Sequence, residues 1–114
     1  MSEQPPAMSR RQLLLQAGAL AFAPALADAA AATQHTVTIE GLMFKPPILA
    51  VSRGDRINWV NKDLFPHTVT ADGGAFDSHQ IAPGGSWSYV AGKTGEYAYR
   101  CTLHPTMAAR LTVA

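Results

Sequence analysis

Residues 95–107 read Gly95-Glu96-Tyr97-Ala98-Tyr99-Arg100-Cys101-Thr102-Leu103-His104-Pro105-Thr106-Met107. As far as Cys101 the segment alternates. Tyr97, Tyr99 and Cys101 share one face of an extended chain, and Glu96, Ala98 and Arg100 share the other. Two rings and a thiol on one side with charge on the other make a half-buried β-strand. The same pattern continues outward from this strand. From residue 35 onward, glycine, proline or aspartate interrupts the chain every eight to twelve residues, with apolar and polar residues alternating between the interruptions. Strands are expected near Thr36–Glu40, Ile48–Val51, Arg56–Asn61, His67–Ala71, Ser86–Val90, Gly95–Cys101 and Ala109–Val113, with a further extended piece at Ala75–Asp77. Turns are expected at Arg53-Gly54-Asp55, Asp72-Gly73-Gly74, Pro83-Gly84-Gly85 and Lys93-Thr94-Gly95, where glycine permits positive φ. No segment sustains a helical period, so the class is all-β, a sandwich or barrel of about seven to eight strands. Phase then assigns the core to Val37, Ile39, Ile57, Trp59, Trp87, Tyr89, Leu111 and Val113.

The first third of the 114-residue chain has a different character. Ser9-Arg10-Arg11-Gln12-Leu13-Leu14-Leu15 sets paired arginines ahead of an apolar run from Leu13 to Ala27, and small residues follow at Ala25-Leu26-Ala27 and Ala27-Asp28-Ala29. This is the layout of a secretory leader, and the arginine pair resembles a twin-arginine signal for export to a bacterial periplasm. The run is broken by Gln16, Gly18 and Pro24 and falls short of the ~20 residues a membrane-spanning helix needs. Residues 1–29 are therefore expected to be an export signal, starting at Met1 or Met8 and cleaved after Ala27 or Ala29. Residues 30–114 are then the working domain, with no membrane segment in its mature form.

A domain of that length has a marginal core and often needs a metal or disulfide to secure it. Cys101 is the only cysteine, so no disulfide can form within the chain. A lone thiol in an oxidising compartment invites coordination. Beyond the leader the chain carries seven basic and six acidic side chains, scattered along its length. Such a balance argues against nucleic acid or an anionic membrane as partner.

Cys101, His104 and Met107 stand three apart on one loop, which can wrap around a single point and present thiolate, imidazole and thioether to it. A second imidazole completes the ligand set of a blue-copper electron-transfer site. His67 is the best candidate, because it shares its phase with Val69 and so begins at the core-facing end of its own segment. Thiolate and thioether favour the reduced ion and imidazole serves both states, so such a site rearranges little when an electron moves.

The segment Asn61-Lys62-Asp63-Leu64-Phe65-Pro66-His67-Thr68-Val69, followed by residues 101–107, resembles the two copper-binding segments of the cupredoxins, in the manner of the amicyanin and plastocyanin group. The resemblance extends over nearly all of residues 36–114, including Phe44 to Asp55. It implies a Greek-key β-sandwich with one type 1 copper ion at one end, held by His67, Cys101, His104 and Met107. It also implies a monomeric carrier whose redox protein partners dock transiently near His104. Apolar residues available for that docking face are Leu103 and Pro105, with Leu64, Phe65, Pro66 and Leu42. Thr68 stands where the group usually has asparagine, a residue that ties the two ligand segments together, and here Thr102 is its available partner. Leu103 replaces a frequent proline.

Other readings of these residues are weaker. Zinc takes four firm donors, for which a thioether is a poor choice. A nucleophilic cysteine would need an orienting group and an oxyanion arrangement that the sequence does not offer, so no enzyme is expected. A periplasmic copper carrier or copper-tolerance protein would use similar ligands, but no methionine- or histidine-rich tract supports it. His35 and His79 are expected to face solvent, and Met43 to serve packing.

Overall fold

Alternation of this kind needs partners for its backbone, and the computed structural model, which describes residues 31–114, shows how they are found. The export signal expected over residues 1–29 lies outside the described residues. Eight strands form in chain order: β1 Gln34–Ile39, β2 Phe44–Lys45, β3 Ile48–Val51, β4 Arg56–Asn61, β5 Thr70–Ala71, β6 Ser86–Val90, β7 Gly95–Arg100 and β8 Ala108–Val113. They build two four-stranded sheets, β2-β1-β4-β6 and β3-β8-β7-β5. Both sheets are mixed. β1 runs parallel to β4, with Val37 opposite Trp59, and β3 runs parallel to β8, with Leu49 opposite Leu111. The remaining ladders are antiparallel.

The inner faces meet in one core that includes Val37, Ile39, Phe44, Ile57, Trp59, Val69, Tyr99, Cys101, Met107, Leu111 and Val113. Trp59 is its fully buried centre, edge-on to Tyr99 with ring centroids 5.6 Å apart. Its indole N–H donates to the Tyr99 hydroxyl at 3.2 Å, so neither polar atom is stranded. Burial pushes the Tyr99 hydroxyl up to about 12 against the opposing effect of that bond. Removing a side chain as large as Trp59 from such a place costs about 3–5 kcal/mol.

Several expectations need correction. Trp87 and Tyr89 are half-buried rather than central, because β6 is an edge strand. They still pack on the core, Trp87 against Trp59 at 5.5 Å and Tyr89 against Phe76 at 4.7 Å. The strand expected over 67–71 contracts to Thr70–Ala71. His67 instead makes a lone bridge with Ile81, and the Val69 amide donates to the Ser78 hydroxyl at 2.7 Å. The extended piece near Ala75–Asp77 is likewise a single bridge, Thr70 to Asp77.

The start of β4 is pinned by Asp55. Its carboxylate accepts from the amides of Thr33 and Ser52, both at 3.0 Å, and pairs with His35 Nε2 at 2.9 Å. The Thr33 amide, the His35 ring and the Ser52 amide lower its pKa to about 2. His35 is thus half-buried and paired rather than facing solvent, whereas His79 is exposed as expected.

Candidate metal centre

The other end of β4 builds the site. Asn61, its last residue, is fully buried and reads as the organiser of the loop that follows. Its side-chain amide donates to the carbonyls of Phe65 at 2.8 Å and Ile81 at 3.0 Å, and its side-chain oxygen accepts the Asp63 amide at 3.0 Å. That loop delivers His67, whose backbone is clamped both ways to Ile81, at 3.2 Å and 2.7 Å. The second segment leaves β7 at Cys101 and returns at β8. It closes on itself: the Cys101 amide donates to the Met107 carbonyl at 3.1 Å, and the Met107 amide to the His104 carbonyl at 2.9 Å.

Three donor side chains converge between these segments. The Cys101 sulfur lies 3.6 Å from His67 Nδ1 and 3.9 Å from His104 Nδ1, and the three donor atoms all fall within 4.8 Å of one another. Cys101 and His67 are fully buried, and Met107 is 3% exposed on the same loop. The Thr68 amide donates to the Cys101 sulfur at 3.3 Å, which ties the two segments at the sulfur itself. Thr68 also carries out the bridging expected of it. Its hydroxyl accepts the Thr102 amide at 2.9 Å and meets the Thr102 hydroxyl at 3.2 Å, so the two ligand segments are tied without the usual asparagine.

The two imidazoles differ in setting. His67 Nε2 meets Asp63 Oδ2 at 2.8 Å, out of reach of solvent. His104 is half-buried, has no partner for Nε2 among the described residues, and lies with its ring 6.2 Å from that of Phe65. Burial of Asp63 opposes its ionisation, but the amides of Leu42 and Gly41 and the His67 ring outweigh burial and hold the carboxyl below the usual carboxylate range. Asn61 and Asp63 fall within the segment that carries the resemblance, yet the sequence alone assigned them no role. The one available signal was a carboxylate four positions ahead of a candidate ligand.

These donors suit copper. A buried thiol with no cysteine to pair with and two ring nitrogens turned toward it form a soft and borderline set, which thiolate and imidazole offer to copper. His67, Cys101 and His104 are positioned as a type 1 copper site, at one end of a two-sheet sandwich.

A family profile described as a cupredoxin-like domain matches residues 13–113, and the chain belongs to that family. Plastocyanin from Synechococcus sp. (strain JA-2-3B'a(2-13)) is 35% identical over 117 residues, covering 85% of this chain and 85% of that protein. Chloroplastic plastocyanin from Tetradesmus obliquus is 31% identical over 94 residues, 73% of this chain. The chain spans 65% of the length of that relative. Among solved structures, a copper(I) form of an amicyanin mutant superposes with a TM-score of 0.67 at 26% identity, covering 71% of this chain and 82% of that one.

Proposed function

We propose that this chain is a blue-copper electron carrier of the bacterial periplasm, holding one copper ion with His67, Cys101, His104 and Met107 and serving redox proteins that dock transiently. The convergence of the buried Cys101 sulfur with the Nδ1 atoms of His67 and His104 carries the reading. Copper, when bound, supplies a one-electron couple. The protein's part is to fix the donors beforehand: the Asn61 staple, the Ile81 clamp and the Thr68–Thr102 tie hold both segments. A site held by scaffold rather than by the ion moves little between oxidation states. Met107 would add a weak thioether donor to that set, a role suited to a buried side chain on the ligand loop.

Export as a twin-arginine substrate is supported by the leader-like sequence of residues 1–29. Docking near His104 is supported by a cluster of exposed apolar side chains on the two ligand segments. Leu64 is 88% exposed, Phe65 55% and Leu103 43%, where soluble surfaces normally place polar groups. Small apolar contacts suit an encounter that must release quickly. The alternative, a copper carrier that binds and hands over the ion, uses the same donors.

The test is spectroscopic. The copper-loaded, oxidised protein is expected to show an intense band in the red from thiolate-to-copper charge transfer, and Cys101→Ala to abolish it. A mutant that stays blue, or a wild type that takes up copper without the band, overturns the assignment. Repeated oxidation and reduction with copper retained against a chelator marks a shuttle, and copper lost at each reduction marks a carrier.

A further inference from the structure

On the reading of Cys101 as a copper ligand, we propose that Thr70 is a positioning residue of the metal centre: its single hydroxyl proton is shared between Thr68 and Asp77, and through it the exposed segment at Asp77 and His79 is coupled to the Cys101 sulfur. Thr68 is the residue to be positioned. Its neighbours are held by other groups, the His67 backbone by Ile81 and the Val69 amide by the Ser78 hydroxyl, while its own amide donates to the sulfur at 3.3 Å. Its hydroxyl oxygen accepts the Thr102 amide at 2.9 Å and the Thr70 hydroxyl at 3.0 Å. Both lone pairs are then filled, so the Thr68 hydrogen is left for the Thr102 hydroxyl at 3.2 Å. Thr70 thereby fixes the direction of the tie between the two ligand segments.

Thr70 is itself held from two sides. It lies opposite Arg100, the residue before Cys101, and makes a lone bridge to Asp77. Its hydroxyl also reaches Asp77 Oδ1 at 3.1 Å, an oxygen that accepts the His79 amide at 2.9 Å. A hydroxyl has one proton, and here two acceptors compete for it. The carboxylate is the stronger acceptor, so it draws the proton from Thr68 and weakens the hold on the segment that faces the sulfur. Hydrogen bonding around the sulfur tunes the potential of such a centre, because an N–H aimed at it withdraws electron density that the oxidised ion needs. Losing the charge at Asp77 frees the proton for Thr68 and raises the potential. Losing the Thr70 hydroxyl lowers it.

Thr70→Val keeps the branched shape and removes the donor. One neutral hydrogen bond shifts an equilibrium about threefold. A threefold loss of preference for the reduced ion lowers the midpoint potential by about 30 mV. Thr70→Ser keeps the hydroxyl and should hold the wild-type potential. A merely structural Thr70 would lower the melting temperature in the valine variant and leave the potential where it was. Asp77→Asn separates the route through Thr70 from the simple loss of a charge. It should raise the potential by more in the wild-type background than in Thr70→Val, since only the through-space effect survives without the hydroxyl. Equal shifts in the two backgrounds, or an unchanged potential in Thr70→Val with an intact blue band, overturn the proposal. A second readout needs no metal: in the copper-free protein, exchange of the Thr102 amide proton should quicken in Thr70→Val and keep the wild-type rate in Thr70→Ser. An unaltered rate in the valine variant overturns the proposal as well. Failure of the underlying copper reading is separate, since the wild type would then lack the blue band altogether.

Discussion

Two histidine–aspartate pairs of almost equal length flank β4, one before its first residue and one after its last. His35 meets Asp55 at 2.9 Å, and His67 meets Asp63 at 2.8 Å. Each carboxylate also accepts two backbone amides, from Thr33 and Ser52 in one case and from Gly41 and Leu42 in the other. Six residues of extended chain keep them about 20 Å apart. The difference lies in the second ring nitrogen. That of His67 faces a buried sulfur, whereas His35 has no metal-binding neighbour among the described residues. One motif therefore serves as a fastener at one end of the strand and as a fastener that also orients a donor at the other. Pairing with a carboxylate does not by itself mark a functional histidine; what the ring offers on its far side does.

The comparison is broken most forcefully by taking the metal away. Copper at a hundred times its dissociation constant stabilises the folded state by about 2.7 kcal/mol, so its removal should lower the melting temperature clearly. Hydrogen exchange should then quicken at residues 63–68 and 101–107 and stay unchanged at 33–36 and 52–56. Equal loosening at both ends would show that the two pairs belong to one unit.

Acid sharpens it from the other side. The folded pKa of Asp55 is about 2, below the ordinary 3.8, so its contribution is present above about pH 4 and lost as pH falls toward 2. Denaturation measured on copper-free protein should steepen in that window, and Asp55→Asn should flatten it while leaving the blue band of the loaded protein in place. A variant with an unaltered acid limb would remove Asp55 from the account.

The smallest structural effect is expected at the surface. Leu103→Glu should leave both ends, the melting temperature and the spectrum near wild type, yet slow electron exchange with the natural partner because a charge must be desolvated on docking. Stopped-flow rates unchanged beside an intact spectrum would place the exit away from His104.

Much of this was legible in the chain itself. Ile48–Val51, Arg56–Asn61 and Ser86–Val90 match the observed strands residue for residue, because alternation bounded by turn residues is a local signal. The Cys101–His104–Met107 loop was readable for the same reason, its spacing being local. β2 was not. Two residues, Phe44 and Lys45, leave no alternation to detect. The strand expected at 67–71 was drawn too long because Val69 satisfies its amide with a side chain, Ser78, which no periodicity records. Parallel pairing was also hidden, since inward and outward phase is identical in parallel and antiparallel ladders. That pairing is what sets His35 beside Asp55, twenty positions away, and left His35 misread as solvent-facing. Asp63 was visible as a letter and silent as a role until the turn at Gly41–Leu42 folded onto it.

The strand order carries a further consequence, for a chain made from its amino end. Every strand of the sheet β2-β1-β4-β6 lies before Ala91, so that sheet can be complete while β7 and β8 are still unmade. Its apolar inner face then waits for a cover. The two middle strands of the opposing sheet, β7 and β8, arrive last, and the edge strands β3 and β5 have nothing to pair with until they do. The loop that carries Cys101, His104 and Met107 is the connection between those two late strands. Closing the sandwich and presenting two of the three converging donors, Cys101 and His104, are thus a single event of synthesis, and a chain halted short of residue 108 lacks both the lid of its core and a finished cradle for an ion.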